Sequence, residues 1–193
     1  MEIEAKVKLK NPSKVRASLN SAGATCKGRV LEKNWLYDHP ERTLTKVDKL
    51  LRIREDQRVT LAFKGPRQQS EYKKREELEI EFPGASAVRS LLESIGFVTW
   101  FYYEKIRETW KLDQSEIVLD ELPHLGLFVE VEAPNEGGVD EIIKKLKLPR
   151  DYISTTYVEM LREFANRSNM SVQEFKFQPQ HEFVLGTPES ETR

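Results

Sequence analysis

The chain has 193 residues, of which 38% are hydrophobic, and this is enough for one domain with a buried core. Charged residues make up 33%, yet 31 Lys and Arg nearly balance 32 Asp and Glu, giving a net charge of −1. That balance argues against a general nucleic-acid binder, which more often carries a basic surplus. The single cysteine, Cys26, excludes an internal disulfide and a cysteine metal site.

Targeting and membrane signals are not found in the sequence. The N-terminus begins with Glu2 and Glu4 and lacks the basic and apolar regions of a signal peptide. The uncharged run over Ser94–Tyr103 is far shorter than the roughly 20 residues that span a bilayer. We therefore expect a cytoplasmic protein without a membrane partner.

A strand followed by an amphipathic helix recurs three times along the chain. In each unit charged and apolar residues alternate with period two, and apolar residues then follow at helical spacing. The predicted strands cover residues 2–7, 77–82 and 129–133, and the predicted helices cover residues 15–22, 88–95 and 142–146. This repetition predicts an α+β fold with internally related parts.

More alternating segments lie between these units. They cover Leu50–Arg54, Val59–Lys64, Lys73–Glu79, Lys105–Thr109 and Ile117–Asp120, and the total is about eight strands. A last amphipathic helix is predicted over Thr156–Phe164. Residues 166–193 are polar and irregular, which predicts a flexible or docked extension and not a second domain.

The strands carry charged residues on one face, and those charges need an explanation. A single strand of this kind is usually half-buried, with its charges in water. Here the predicted helices need the apolar face of the sheet. If the sheet closes into a barrel, the charged faces line its interior. Buried charges are costly unless they are paired or bind something charged.

The charged faces contain groups of both signs. Arg52 and Arg54 share one face of a strand, and forked guanidinium donors suit phosphate. Glu2 and Glu4 share another, about 6–7 Å apart along the strand, where both can approach hard cations such as Mg²⁺ or Mn²⁺. The combination predicts binding of a metal–triphosphate.

Ordered motifs along residues 1–165 resemble the CYTH superfamily, also called triphosphate tunnel metalloenzymes. The motifs are Glu2-Ile3-Glu4-Ala5-Lys6, Leu51-Arg52-Ile53-Arg54, Phe63-Lys64-Gly65-Pro66, Lys74-Arg75-Glu76-Glu77-Leu78-Glu79, Lys105-Ile106-Arg107, Leu119-Asp120-Glu121-Leu122 and Phe128-Val129-Glu130-Val131-Glu132. The resemblance implies a closed eight-stranded antiparallel β-barrel, or tunnel, with flanking helices. Residues 166–193 lie outside it.

The resemblance also implies roles for the charged residues. Metal would be held by Glu2, Glu4, Asp120, Glu130 and Glu132. Phosphates would be held by Lys6, Arg52, Arg54, Lys64, Arg75, Lys105 and Arg107, with Glu77 and Glu79 as additional acidic lining. Glu2, Glu4 and Lys6 are the candidate catalytic residues. For Lys6 we favour phosphate binding over proton transfer, because neighbouring carboxylates favour its charged form.

Within the superfamily, the chain looks most like the class IV adenylate cyclase branch. The similarity lies in Asp38-His39-Pro40, Lys64-Gly65-Pro66 and the stretch from Leu119 to Glu132. It implies conversion of ATP to cyclic AMP and pyrophosphate with Mg²⁺ or Mn²⁺. The alternatives are a triphosphatase acting on inorganic, thiamine or nucleoside triphosphate, and a non-catalytic polyphosphate- or nucleotide-binding module. A homodimer is compatible with the sequence, which indicates neither an interface for it nor an adenine pocket.

Overall fold

The computed structural model describes residues 2–68, 72–170 and 173–178, except for the side chains of Glu2 and Lys73. The strands in these residues are β1 (Glu2–Leu9), β2 (Thr25–Asp38), β3 (Leu50–Glu55), β4 (Val59–Lys64), β5 (Lys73–Arg75), β6 (Glu77–Phe82), β7 (Val98–Leu112), β8 (Ser115–Leu122), β9 (Gly126–Ala133) and β10 (Glu174–Phe175). The helices are α1 (Ser13–Ser21), α2 (Ala85–Ser94), α3 (Glu136–Lys145) and α4 (Tyr157–Arg167), and a 3-10 turn covers Thr45–Val47. None of these helices is long and apolar enough to cross a membrane.

The strands form one antiparallel sheet that comes almost full circle. Their order is β5-β1-β9-β8-β7-β2-β3-β4-β6, and only Glu76 separates β5 from β6. Counted as one interrupted strand, β5 and β6 complete a circuit of eight strands, because β5 pairs with β1 and β6 pairs with β4. The predicted α+β barrel with flanking helices is therefore confirmed. The short β10 pairs in parallel with β7, outside the circuit.

The barrel has its hydrophobic core on the outside. Along β1, the buried side chains of Ile3, Ala5 and Val7 belong to the apolar cluster that includes residues of α1 and α3. Between them, Glu4 and Lys6 line the interior cavity. Burying one large aliphatic side chain stabilises the fold by about 1.5–3 kcal/mol. The helices therefore hold the strands from outside and leave the charged faces to the lumen.

Helix α4 closes one end of the lumen. It begins with a capping box, in which the Thr156 hydroxyl accepts a hydrogen bond from the Glu159 backbone N–H and the Glu159 carboxylate accepts one from the Thr156 N–H. The first residue of the helix, Tyr157, packs against Phe128, with 5.3 Å between ring centroids. The cap thus fixes the direction of the helix, and its first turn becomes a wall of the cavity.

Two features of the sheet differ from the sequence prediction. The 14-residue strand β2 was missed, because both of its faces mix polar and apolar residues and its pairing with β7 contains two register shifts. The alternating segment over residues 73–79 is divided between two strands, since pairing changes from β1 to β4 at Glu76. The last helix also continues to Arg167, three residues beyond the predicted end.

Candidate active site in the barrel lumen

A cavity of about 420 Å³ occupies the lumen. It is lined by Glu4, Lys6, Leu36, Leu50, Arg52, Arg54, Arg58, Lys64, Arg75, Glu77, Glu79, Tyr103, Lys105, Arg107, Glu116, Glu130, Glu132, Thr156, Tyr157 and Val158. The structure thus brings together nearly all of the residues predicted to hold phosphate or metal. Asp120 is not in the lining, since its fully buried carboxylate is hydrogen-bonded to the lining residues Lys105 and Arg107. The Glu2 side chain lies outside the described part of the structure.

Three carboxylates form a row across adjacent strands at one end of the cavity. Glu4 of β1 pairs with Glu132 of β9, which pairs with Glu116 of β8. Directly opposed side chains on one face have Cβ atoms about 4.5–5.5 Å apart, and like charges at that distance repel. Glu130 lies one inward position further along β9. We call Glu4, Glu116, Glu130 and Glu132 the acidic row.

The acidic row fits a divalent metal in its donor chemistry. Together with Arg107 and Val118, its four residues wall a small recess of about 30 Å³, comparable to the volume of one water molecule. Carboxylate oxygens are the ligands that Mg²⁺ and Mn²⁺ prefer. Among the residues that the structure describes, no three acidic, histidine or cysteine side chains already stand close enough to hold a metal ion. Binding of a metal ion by the acidic row would therefore require rotation of its glutamate side chains.

A network of ion pairs joins three residues of the cavity lining, Lys105, Arg107 and Glu130, to two buried residues outside the lining, Glu32 and Asp120. We call these five residues the buried pair network. Asp120, fully buried, accepts hydrogen bonds from Arg107 Nε at 2.8 Å and Arg107 Nη2 at 2.6 Å, and from Lys105 Nζ at 3.2 Å. Lys105 also lies 3.2 Å from Glu32 Oε2, and Arg107 Nη2 lies 2.8 Å from Glu130 Oε2. Each of these charges is balanced by its neighbours.

Neighbouring charges shift the pKa values of this network. Burial alone would raise the pKa of Glu32, but the cations Lys105, Arg107, Arg54 and Arg52 outweigh it and lower that pKa to about 2. Burial acts to lower the pKa of Arg107, yet the carboxylates of Asp120, Glu32 and Glu130 raise it well above its usual value. Glu32 and Arg107 therefore stay charged at neutral pH.

Arg52 is the exception among the lumen cations. Its Nε atom is buried without a hydrogen-bond partner, and within the described residues no carboxylate forms an ion pair with its guanidinium. Burial acts against its charge, while Tyr103 and the more distant carboxylates of Glu77 and Glu32 raise its pKa. A charged guanidinium that lines a cavity and lacks a close partner is suited to bind an anion.

The neighbouring cations are held in place by β6. Lys64 Nζ lies 2.8 Å from Glu77 Oε2, and Arg54 Nη2 donates to Glu79 Oε1 at 3.1 Å. Glu77 and Glu79, whose role the sequence left undefined, therefore position two phosphate-binding candidates. These contacts leave the cations within the cavity lining.

Arg75 has a structural task at the place where the barrel closes. Its Nε donates to the carbonyl of Gly65 at 2.7 Å, and its Nη2 donates to the carbonyl of Asp48 at 2.7 Å. The Gly65 N–H in turn bonds the Glu76 carbonyl, next to the break between β5 and β6. Arg75 thus ties two loops to the closing junction while it lines the cavity.

Lys6 lies between the acidic row and α4. Its Nζ is 3.4 Å from Glu130 Oε1, 3.8 Å from Glu4 Oε1 and 3.1 Å from the Thr155 carbonyl, and it sits 4.2 Å from the centroid of the Tyr157 ring. The Tyr157 hydroxyl is buried without a hydrogen-bond partner among the described residues, and burial raises its pKa well above 10. A neutral phenol and an ammonium therefore face the same space.

Sequence reasoning missed four residues of the site. Glu32 lies on the unrecognised strand β2, and Tyr103 lies on a part of β7 that was not predicted. Glu116 precedes the predicted strand over Ile117–Asp120, and counting back two residues from Val118 would have placed it on the inner face. Tyr157 was treated as part of an apolar helix face, and its place in the lumen depends on how α4 packs.

The fold and its lumen define a class of protein with a charged tunnel through an antiparallel barrel. Comparison with known proteins agrees with this description, since residues 1–157 match the CYTH domain. The chain therefore belongs to the CYTH family.

Individual relatives support the same assignment. A protein of Methanocaldococcus jannaschii named "Putative adenylate cyclase MJ0240" is 30% identical over 171 residues, which cover 83% of this chain and 98% of that protein. The crystal structure of a Vibrio parahaemolyticus protein, described as a putative adenylate cyclase, matches with a TM-score of 0.75 and 24% identity over 83% of this chain and 97% of that one. A Hippeastrum protein matches with a TM-score of 0.62 and 21% identity, over 89% of this chain and 98% of that one, and its structure is described as that of a putative adenylyl cyclase with dominant triphosphatase activity. The last two similarities, both at less than 25% identity, support the fold only.

Proposed function

We propose that this protein is a metal-dependent enzyme that binds ATP by its triphosphate in the lumen and converts it to cyclic AMP and pyrophosphate. The observation that carries the proposal is Arg52, a cavity-lining guanidinium with a buried Nε that has no partner among the described residues. A triphosphate supplies the missing negative charge. Lys6, Arg54 and Lys64 line the same cavity and can follow the phosphate chain.

One side of the cavity supports a nucleotide over a bare triphosphate. Leu36, Leu50, Tyr103, Tyr157 and Val158 add apolar and aromatic surface to the otherwise charged lining. Such surface suits the flat faces of a nucleobase and offers nothing to an inorganic anion. The M. jannaschii relative, by its name a putative adenylate cyclase, points to the same substrate.

The acidic row would hold the metal through Glu4, Glu130, Glu132 and the newly located Glu116, and Glu2 remains a predicted ligand. Asp120 was also predicted as a ligand, but both of its oxygens accept hydrogen bonds from Arg107 and Lys105. When bound, the metal supplies charge neutralisation on the phosphate oxygens. Binding and positioning of the substrate and transfer of the proton are done by side chains of the protein.

In the proposed reaction the ribose 3′ oxygen bonds to the α-phosphorus while the bond from that phosphorus to the bridging oxygen breaks. Pyrophosphate leaves with the electron pair, and the hydroxyl proton passes to a carboxylate of the acidic row. Arg52, Arg54 and Lys64 stabilise the growing charge on the leaving group. Catalysis of this kind rests on positioning and electrostatic stabilisation.

Triphosphate hydrolysis is the second candidate, and the charged part of the lining is compatible with it. Charged side chains predominate in the cavity, and they can hold a phosphate chain whether or not a nucleoside is attached. The description of the Hippeastrum protein as having dominant triphosphatase activity points the same way. Water in line with the terminal phosphorus would then take the place of the ribose oxygen.

Phosphorus NMR of the purified protein tests the proposal. ATP and tripolyphosphate are offered separately with Mg²⁺ or Mn²⁺, and EDTA is added to matched samples. Cyclic AMP together with pyrophosphate would support the cyclase, and orthophosphate from tripolyphosphate with ATP left intact would replace it with the triphosphatase. Tight binding without turnover of either compound would contradict both and leave a binding module.

A further inference from the structure

A second cavity lies on the outer side of the barrel, beside α4. It has a volume of about 310 Å³. Its walls are Arg42, Thr45, Trp100, Phe101, Arg162, Ala165, Asn166, Met170 and Gln173. None of these residues lines the lumen cavity described above.

Two arginines converge on one indole in this cavity. The guanidinium carbon of Arg42 lies 4.6 Å from the ring centroid of Trp100, and that of Arg162 lies 5.8 Å from it. The Arg42 Nη1 atom is buried without a hydrogen-bond partner, and among the described residues neither arginine has a carboxylate within ion-pair distance. Arginines placed this way present donors that the protein itself leaves unused.

The acidic side chain whose charge acts on Arg42 is Asp38, and it already has partners. Asp38 accepts hydrogen bonds from the backbone N–H groups of His39, Leu44 and Thr45, and from the Thr45 hydroxyl. Burial lowers the pKa of Arg42, and the positive charge of Arg162 lowers it further, against the opposing effect of Asp38. The two like charges are therefore held near each other, and among the described residues no carboxylate lies within ion-pair distance of either.

We propose that Arg42, Trp100 and Arg162 form a second anion site, outside the lumen, that takes a phosphate group. Two guanidinium groups offer forked N–H donors that match phosphate oxygens. Asn166 adds an amide to the same cavity. The Trp100 ring fixes both guanidinium groups, so less side-chain freedom is lost when the anion binds.

The site stands apart from the lumen but is connected to it. A third cavity, of about 230 Å³, shares Thr45, Trp100 and Arg162 with the outer cavity and shares Thr156 and Val158 with the lumen. Val158 and Arg162 are four residues apart on α4, which is about 6 Å along a helix. The phosphate can therefore belong either to a separate molecule or to a ligand that extends out of the lumen.

The test uses the indole N–H signal of Trp100 in ¹⁵N NMR spectra, assigned by its loss in Trp100→Phe. Inorganic phosphate is titrated at constant ionic strength against chloride, and AMP, a phosphate monoester, is titrated in parallel. We expect a saturable shift of the Trp100 signal, with Kd raised on the order of tenfold in the double variant Arg42→Gln/Arg162→Gln because two charged donors are lost. Equal Kd values for phosphate and AMP would indicate a site for the free group, and tighter AMP binding would indicate a site for esters.

Two variants distinguish phosphate binding at this site from binding in the lumen and from a general effect of removing an arginine. Arg89→Gln is the matched control, because Arg89 lies 5.1 Å from the ring of Trp35 and belongs to neither cavity. Arg52→Ala should weaken anion binding in the lumen and leave the titration of the Trp100 signal with inorganic phosphate unchanged. The proposal is overturned if chloride shifts the signal equally, if Arg89→Gln weakens binding as much as the double variant, or if the shift disappears in Arg52→Ala.

Discussion

Two regions of the barrel interior contain the same kinds of charged residue but differ in whether those charges have partners within the protein. In the buried pair network, Asp120 accepts three hydrogen bonds from Lys105 and Arg107, so the charges satisfy one another. On strand β3, which pairs with β2, Arg52 has a buried Nε with no partner in the described residues. The first region stabilises the barrel, and the second needs a ligand to satisfy its charge.

The acidic row lies between these extremes. Glu4 and Glu130 both contact Lys6, and Glu116 lies 3.0 Å from Lys111, yet three of its carboxylates face one another across adjacent strands. Like charges at this spacing repel, and a bound cation would relieve that repulsion. The comparison therefore predicts that substitutions in the network affect stability, while substitutions at Arg52 or in the acidic row affect binding and turnover.

The largest effect is expected from Asp120→Asn. It leaves Lys105 and Arg107 with less compensation in a buried setting, and breaking such a pair typically costs about 3–5 kcal/mol. Urea denaturation of the two proteins measures the change in free energy of unfolding. A loss below about 1 kcal/mol would mean that the network is not the stabilising region.

Next is Glu132→Gln, which removes one charge from the acidic row without changing side-chain size. We expect metal-dependent turnover to fall by about a hundredfold, or about 2.7 kcal/mol, with little change in Tm. The control is Glu121→Gln, which alters a carboxylate of neighbouring strand β8 that pairs with Arg29 and does not line the lumen. Unchanged turnover in Glu132→Gln would remove this residue from the metal site.

A somewhat smaller effect is expected from Arg52→Ala. Because charged hydrogen bonds contribute about 1.5–3 kcal/mol, KM for the triphosphate substrate should rise at least about tenfold. Tm should not fall, since the guanidinium has no ion-pair partner to lose in the described structure. Steady-state kinetics and thermal unfolding are measured together, with Arg29→Ala as the outer-surface control. A lower Tm with an unchanged KM would mean that Arg52 stabilises the fold and does not bind the substrate.

The buried pair network should also have a pH signature. The pKa of Glu32 is about 2 when folded, against an ordinary value of 4.5, so its charged form stabilises the fold above about pH 4.5. That contribution is lost as the pH falls from about 4.5 towards 2. Stability curves of the wild type and Glu32→Gln should therefore converge over this range. Parallel curves would mean that Glu32 is not held charged by its neighbours.

The smallest effect belongs to Glu81→Gln at the rim. Glu81 pairs with Arg58 at 3.2 Å, but the two side chains are 55% and 66% exposed. Exposed ion pairs contribute about 0–1 kcal/mol, so the free energy of unfolding should barely change. Urea denaturation of Glu81→Gln is measured in parallel with that of Asp120→Asn, so that the two losses in free energy of unfolding can be compared directly. A loss comparable with that of Asp120→Asn would show that burial is not what separates the two pairs.

Much of the site was predictable because the charge pattern repeats at the period of a strand. Glu4, Arg52, Arg54, Glu130 and Glu132 alternate with apolar neighbours, and a period of two puts alternate side chains on one face. Once the apolar faces were assigned to the helices, the charged faces had to meet inside. The placement of these residues in the cavity lining follows that logic. Their roles toward phosphate and metal remain predictions.

The rest of the site could not be predicted, because it depends on contacts between residues that are far apart in the sequence. Glu32 lies on a strand whose two faces are both mixed, so its inward direction follows only from its pairing opposite Lys105. Asp120 alternates like a lumen residue, yet its carboxylate is occupied by hydrogen bonds from Arg107 and Lys105 and does not line the cavity. Trp100 and Arg162 are 62 positions apart and meet only because α4 packs beside β7.

The sequence by itself determined the class of fold and the chemistry of the lumen, because alternation and helix signals are local and each strand carries its own charged face. Only the tertiary structure decided which charges compensate one another and which do not. That outcome depends on strand order, on the change of pairing at Glu76 and on the helix that closes one end. A Coulomb interaction depends on distances between atoms, and the chain sets those distances only when it folds.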